Sequence, residues 1–276
     1  MFCDAHFHLV QAFTAFPAPQ NSAESMDSSA FADFELPFFS KNQQVKACTC
    51  AHSIPEYEKQ KQLLLQIANS AFHSADIRSA FGMHPQQPAL ENALFLEQLL
   101  EKNEICAVGE TGFDLFTDEF KVTLEKQKEV WQIQLELARK FSRPLVIHCR
   151  KAMNFIFADS RQLKKLPAVL FHSFPENPDA AFSILNHGIN AFFSFGKQIL
   201  NGNKKAIACV KSLPLQNLLL ETDAPFQTLK GEKFTSPDEI KKVYEQAFYL
   251  RTSKNSPQEF SIFCQSLCRN FESLFG

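Results

Sequence analysis

No Cys-x-x-Cys pair occurs among the eight cysteines, and no apolar run reaches membrane-spanning length. An excess of one charge sign is missing too. The formal net charge is −2, with no long basic or acidic tract, which argues against a large fixed footprint on duplex nucleic acid. There is no G-x-S-x-G elbow, no H-E-x-x-H and no P-loop, so three common chemistries leave no motif. GKQILNGNKK (196–205) has glycines and lysines, but at the wrong spacing for a nucleotide loop, and it reads as a strand-to-helix turn. No basic segment followed by a short apolar stretch precedes the first apolar run, so no secretory signal is expected. The cysteines are scattered through apolar runs and read as small core residues, free thiols in a reducing, cytoplasmic setting. Tryptophan and tyrosine are rare, at one and three, against 30 phenylalanines, so phenylalanine carries the aromatic part of the core.

What is present is an alternation. Short apolar runs at 2–8, 45–51, 77–83, 104–110, 144–149, 168–173, 190–195 and 216–222 read as strands. Between most of them lie segments with helical spacing. The clearest are 54–74 and 119–143, the latter stopped by Pro144, and two further helices are expected at 237–251 and 257–274. Eight strands alternating with helices predict one α/β domain over residues 1–276, a parallel (β/α)8 TIM barrel. The segment 11–44 departs from the pattern. Pro17, Pro19 and Pro37 break helical continuity, so a long loop with a short or distorted helix is expected there.

The polar residues fall at strand ends. FCDAHFHLV opens the chain, and strict alternation would place Asp4, His6 and His8 on one face. His84 ends the third strand, Glu110 and Asp114 the fourth, His148 and Arg150 the fifth, His172 the sixth, and Glu221 and Asp223 the eighth. In a barrel these ends converge on one face, where active sites are built. Four histidines, a glutamate and an aspartate (His6, His8, His148, His172, Glu110 and Asp223) are enough to hold two divalent cations, magnesium, manganese or zinc. Such ions acidify a water and clamp the oxygens of a displacement, while a second carboxylate orients that water.

Taken in order, DAHFHLV, GMHPQ, AVGETGFD, PLVIHCRKA, FHSF and LLLETDAPF make the chain resemble the TatD family of metal-dependent deoxyribonucleases over nearly its whole length. The resemblance implies a TIM barrel with a divalent metal site. It implies that His6, His8, Glu110 and Asp223 hold one ion, that Glu110, His148 and His172 hold the other, and that Asp223 is the water-orienting base. His84 would face the pocket and contact a phosphate. The implied activity is hydrolysis of phosphodiesters from strand ends, a 3′–5′ exonuclease.

The chain departs from the family pattern at Lys151, where an acidic residue usually follows, at PEN (175–177), and across QTLKGEKFTSPDE. None of these is a proposed ligand. Arg150, Lys151, Lys197 and Lys230 are candidate phosphate contacts, and Phe113, Phe116, Phe174 and Phe226 are candidate rim aromatics for stacking an unpaired base. The expected partner is therefore DNA with single-stranded or frayed ends, with no membrane and no obligate protein partner. Two other readings stay open. The same barrel and metals can hydrolyse a small ester, lactone or amide, and a metal-stabilised scaffold without catalysis would also keep the ligands.

Overall fold

The structure is a computed structural model that describes residues 1–16, 44–70, 75–252 and 256–276. Its strands are β1 (Phe2–Phe7), β2 (Val45–Ala51), β3 (Asp76–Phe81), β4 (Ala107–Asp114), β5 (Leu145–Arg150), β6 (Val169–Phe171), β7 (Ala191–Phe195) and β8 (Leu218–Leu220). They pair in chain order, and each pairing from β1–β2 to β7–β8 is parallel. The sheet is drawn shut beyond β8. Asp223 N–H donates to the His6 carbonyl at 3.0 Å, and His8 N–H donates to the Ala224 carbonyl at 2.8 Å. The expected (β/α)8 barrel is the observed fold.

The helices are α1 (Leu9–Ala15), α2 (Ile54–Ala68), α3 (Ala93–Glu101), α4 (Asp118–Lys121), α5 (Leu124–Lys140), α6 (Met153–Ala158), α7 (Ser160–Leu163), α8 (Pro178–Asn186), α9 (Lys204–Ser212), α10 (Ile240–Arg251) and α11 (Pro257–Phe275). Several begin on side-chain caps. Ser53, Asn177, Asn203 and Ser256 each accept a backbone N–H of the first turn. The helix expected at 119–143 is two. Around Val122 and Thr123 the helix is interrupted, and the buried Gln127 amide reaches the Phe120 carbonyl at 2.8 Å and the Asp114 carbonyl at 3.1 Å. The expectation for 11–44 falls mostly outside the described residues, as do 71–74 at the end of the helix expected at 54–74; α1 is the part that is seen. No helix among the described residues is long and apolar enough to cross a membrane.

The interior is lined by Cys48, Cys50, Ala80 and Ala107 on one side and by Val146, Leu170, Phe192 and Leu219 on the other. Phe271, Leu274 and Phe275 of α11 pack against this set. Small residues leave the depth that the larger ones fill, as close packing requires. All eight cysteines are free thiols, as expected.

Two irregularities aim the site. Asp4 pairs with Ala47 and Phe7 with Thr49, so β1 carries one residue more than β2 over that stretch. Ala47 and Thr49 share a face, so Asp4 lies with Phe7 and not with His6. The expected common face for Asp4, His6 and His8 is thus wrong for Asp4, because the bulge breaks the alternation. Its carboxylate instead accepts the Thr222 N–H at 2.9 Å and the Thr222 hydroxyl at 2.6 Å, tying β1 to the end of β8. In β4, Gly109 pairs with Val146 and Thr111 with Ile147, which leaves Glu110 as the extra residue of a second bulge. Gly109 and Gly112 flank it at φ +151° and +131°, where a Cβ would lie 2.6 Å from the Val146 oxygen and 2.1 Å from the His148 oxygen. Only glycine lets β4 approach β5 this closely.

Lys197 is a correction to the sequence reading. It is not a phosphate contact. It is 1% exposed, and its ammonium lies 2.6 Å from Glu232 and 2.5 Å from Glu239. That ammonium holds the Glu232 carboxyl below its ordinary value of 4.5. At Glu239 burial pushes upward, but Lys197 and Lys242 outweigh it, and the net shift is again downward. Depressed carboxyls contribute stability that is present above the unfolded value and lost as pH falls through the folded one. Lys197→Met should lower unfolding stability by about 2–4 kcal/mol at neutral pH, because it takes the buried cation from Glu232 and leaves Glu239 with Lys242 alone. The deficit relative to wild type should shrink as the pH is taken below 4.5. Urea unfolding of both proteins across pH checks this, and equal midpoints at neutral pH would refute it.

Candidate metal centre

At the carboxyl ends of the strands the Glu110 carboxylate is buried among six of the chain's eight histidines. Its Oε2 faces the Nε2 atoms of His6, His8 and His52 at 3.3, 3.4 and 3.2 Å. Its Oε1 faces His84 Nε2 at 3.5 Å, His148 Nδ1 at 3.2 Å and His172 Nε2 at 2.6 Å. Asp223 Oδ1 stands 3.6 Å from His6 Nε2 and 3.3 Å from His8 Nε2. All six expected ligands are therefore brought to one point of the barrel mouth.

The arrangement suits cations better than it suits hydrogen bonding alone. Two imidazole nitrogens, His6 Nε2 and His8 Nε2, face one another at 3.3 Å. Glu110 Oε2 and both ring nitrogens of His52 are buried with no hydrogen-bond partner. Donors about 2.1 Å from one ion lie about 3.0–3.4 Å apart when they subtend right to tetrahedral angles, close to the separations seen here. Donor atoms of His6, His8 and Asp223 fall within 4.8 Å of one another, and so do those of His6, Glu110 and His172.

The surrounding groups fix which nitrogen is free. His148 Nε2 lies 3.0 Å from Asp114 Oδ2, so a proton there leaves Nδ1 open toward Glu110 and His172. Asp114 is itself held by the Gln86 amide and the Phe116 N–H, each at 2.8 Å. Burial pushes the Asp114 carboxyl up, but His148 and these donors bring it down to about 2. The Cys50 thiol lies 3.5 Å from His6 Nδ1 and turns the other nitrogen into the site. Gln227 donates to Asp223 Oδ2 at 3.0 Å and leaves Oδ1 facing the histidines. Glu221 does not enter the site. It accepts from Ser173 and Ser194 and braces the ends of β6, β7 and β8.

His84 differs from the ligand group. The Gln86 N–H donates to its Nδ1 at 3.1 Å, so in the neutral ring Nε2 carries the proton and is a donor, not a lone pair. Arg150 is exposed, with its guanidinium 4.1 Å from the Phe116 ring, and Lys151 lies 4.5 Å from the same ring. His84 and Arg150 both line a cleft of about 390 Å³ that also exposes Glu110, His148, His172 and Asp223. Of the expected rim aromatics, Phe116 and Phe226 are half exposed, while Phe113 and Phe174 are buried and pack on Phe155 and on Phe171 and Phe193. Those two are corrections. Both rings are taken up by the apolar cluster between the strands and the surrounding helices, where their burial is favourable.

Burial pushes the Glu110 carboxyl upward, but His172, His6 and His84 outweigh it and hold it well below the usual carboxylate range. Burial lowers His6 to about 4, whereas at His172 the Glu110 charge overcomes burial and raises the ring to about 9.

His52 was missed by the sequence reading. The signal was available: it follows β2 directly, as His8 follows β1. It was passed over because a single histidine in AHSIPEY carries no spacing pattern of its own.

A parallel barrel with a carboxylate-centred histidine cluster at its strand ends defines the class of metal-dependent barrel hydrolases. Residues 3–276 match the family described as TatD related DNase, and the chain belongs to that family. It is 30% identical over 184 residues to an uncharacterized metal-dependent hydrolase, YabD, of Bacillus subtilis, spanning 63% of this chain and 70% of the relative. It is 31% identical over 156 residues to the 3′-5′ ssDNA/RNA exonuclease TatD of Pantoea ananatis, spanning 54% of this chain and 58% of the relative. The crystal structure of YjjV, a TatD homologue from Escherichia coli, superposes with a TM-score of 0.75 at 24% identity, covering 99% of this chain and 97% of that one.

If the cluster binds ions, the folded state alone presents it, and ligand binding to the folded state adds stability. Manganese or zinc at about a hundredfold above its dissociation constant should add about 2.7 kcal/mol and raise the melting temperature by about 5 °C or more. A chelator should reverse the shift. Scanning fluorimetry measures it, and a melting temperature indifferent to magnesium, manganese and zinc would remove the ligand assignment.

Proposed function

We propose that the chain is a divalent-metal-dependent phosphodiesterase that releases nucleotides from the 3′ ends of single-stranded or frayed DNA. The supporting observation is the division of donors around Glu110. His6, His8 and Asp223 gather on its Oε2 side and His148 and His172 on its Oε1 side, a set suited to two ions with a shared carboxylate. Two ions held there would acidify a water and neutralise the charge of a scissile phosphodiester.

The chain's own residues do the rest. Asp223 orients the attacking water and takes up its proton, and Gln227 holds that carboxylate in place through Oδ2. The His84 Nε2–H donates to a phosphate oxygen. Arg150 and Lys151 supply exposed cations beside it, set on the Phe116 ring. Phe226, half exposed and 5.1 Å from the His8 ring, offers a face to an unpaired terminal base. Among the described residues no basic tract is set to grip a duplex, and the net charge of −2 adds little attraction for one. The Pantoea relative's description as a ssDNA/RNA exonuclease agrees with this reading.

Glu110→Gln keeps the shape and removes the shared charge. It should lose the more weakly held ion and at least about a hundredfold in turnover. Near-normal turnover with full metal content would show that the carboxylate is not shared. Linear single-stranded DNA should be shortened while a closed circle of the same sequence survives. A circle cut as fast as the linear strand is degraded would rule out end-directed hydrolysis.

A further inference from the structure

We propose that His52 is a further ligand of the ion held by His6, His8, Glu110 and Asp223, and that it biases that position toward zinc or iron over magnesium. The inference rests on the proposed two-ion reading and adds a residue to it.

The geometry treats His52 like the two neighbouring ligands. Its Nε2 stands 3.2 Å from Glu110 Oε2, the same oxygen that faces His6 and His8 at 3.3 and 3.4 Å. Its ring lies 5.3 Å from that of His8 and 4.9 Å from that of His84. Neither ring nitrogen has a hydrogen-bond partner, although both are shielded from water. A buried imidazole left without partners costs free energy unless something else takes its lone pair.

The backbone that carries it is pinned. The His52 N–H donates to Glu56 Oε2 at 2.9 Å, and its carbonyl accepts from Asn92 at 3.4 Å. Glu56 is fixed in turn, by the Gln11 amide at 2.7 Å on its other oxygen. Ser53 caps the following helix. The residue is therefore held at the cleft from both sides of its backbone. It also closes a donor group with His8 and Glu56, which is the competing placement: a separate cation outside the pair.

A third imidazole changes what the position selects. Three nitrogens with two carboxylates favour a borderline-soft ion, whereas magnesium takes oxygen and water ligands. His52→Gln and His52→Asn remove the ligating nitrogen from a partly exposed loop position. Circular dichroism and the melting temperature of the metal-free variants serve as the check on folding.

The experiment is metal titration with a chromophoric competing chelator, alongside metal content by mass spectrometry. Wild type should hold two zinc ions per chain. In the variants the affinity of one of them should fall by about tenfold or more, while magnesium affinity should stay within about threefold, since magnesium draws little from an imidazole. Unchanged zinc affinity in both variants would overturn the role of His52. Three ions in wild type, falling to two in the variants, would also overturn it by placing His52 in the separate group with His8 and Glu56. Wild-type protein that holds no ion would instead bring down the two-ion reading itself.

Discussion

One buried anion organises this molecule. Glu110 is 1% exposed and sits within 3.5 Å of six imidazoles. A carboxylate taken out of water is costly unless it is compensated. Its neighbours do this with nitrogen atoms from five different strand ends, so the barrel has to close with the correct register for the charge to be tolerated. The two bulges and the glycine pair beside Glu110 are the backbone's response. They turn His6 and Glu110 inward at a height where straight strands would place a different residue.

A layer of groups that touch no ion orients those that would. Asp114 fixes the ring of His148, the Cys50 thiol faces the far nitrogen of His6, and Gln227 occupies the unused oxygen of Asp223. Such partners set which nitrogen carries a proton, and hence which one has a lone pair to give. The same logic separates His84 from the ligands, because a backbone N–H occupies its other nitrogen. Members of one ring of histidines thus have different chemistry, decided by their second contact.

The family relation reaches over almost the whole chain. Lys151 stands where the family pattern has an acidic residue, and with Arg150 it places two cations against Phe116. His52 brings a further nitrogen to the centre. The fold and the buried carboxylate with its histidines define a class of chemistry, while the rim and the donor balance bear on which substrate and which ion it suits.

The strand-end residues were legible in the sequence because each breaks an apolar run, and six such breaks in order leave few folds that gather them. His6, His8, Glu110, His148, His172 and Asp223 meet as their spacing and their family resemblance implied. Side chains whose role depends on a contact far along the chain were not legible. Lys197 read as an exposed cation and is buried against Glu232 and Glu239, 35 and 42 residues away. Phe113 and Phe174 read as rim aromatics and turned into the core. Asp4 read as sharing a face with His6 until a bulge separated them. His52 had no pattern around it and became visible only beside the other five rings. Sequence determined the order of strands and the polar residue at the end of each, since hydrophobic periodicity is local. The tertiary structure alone decided which of those residues share a point in space. That depends on register and bulges, which are set by packing between strands far apart in the chain.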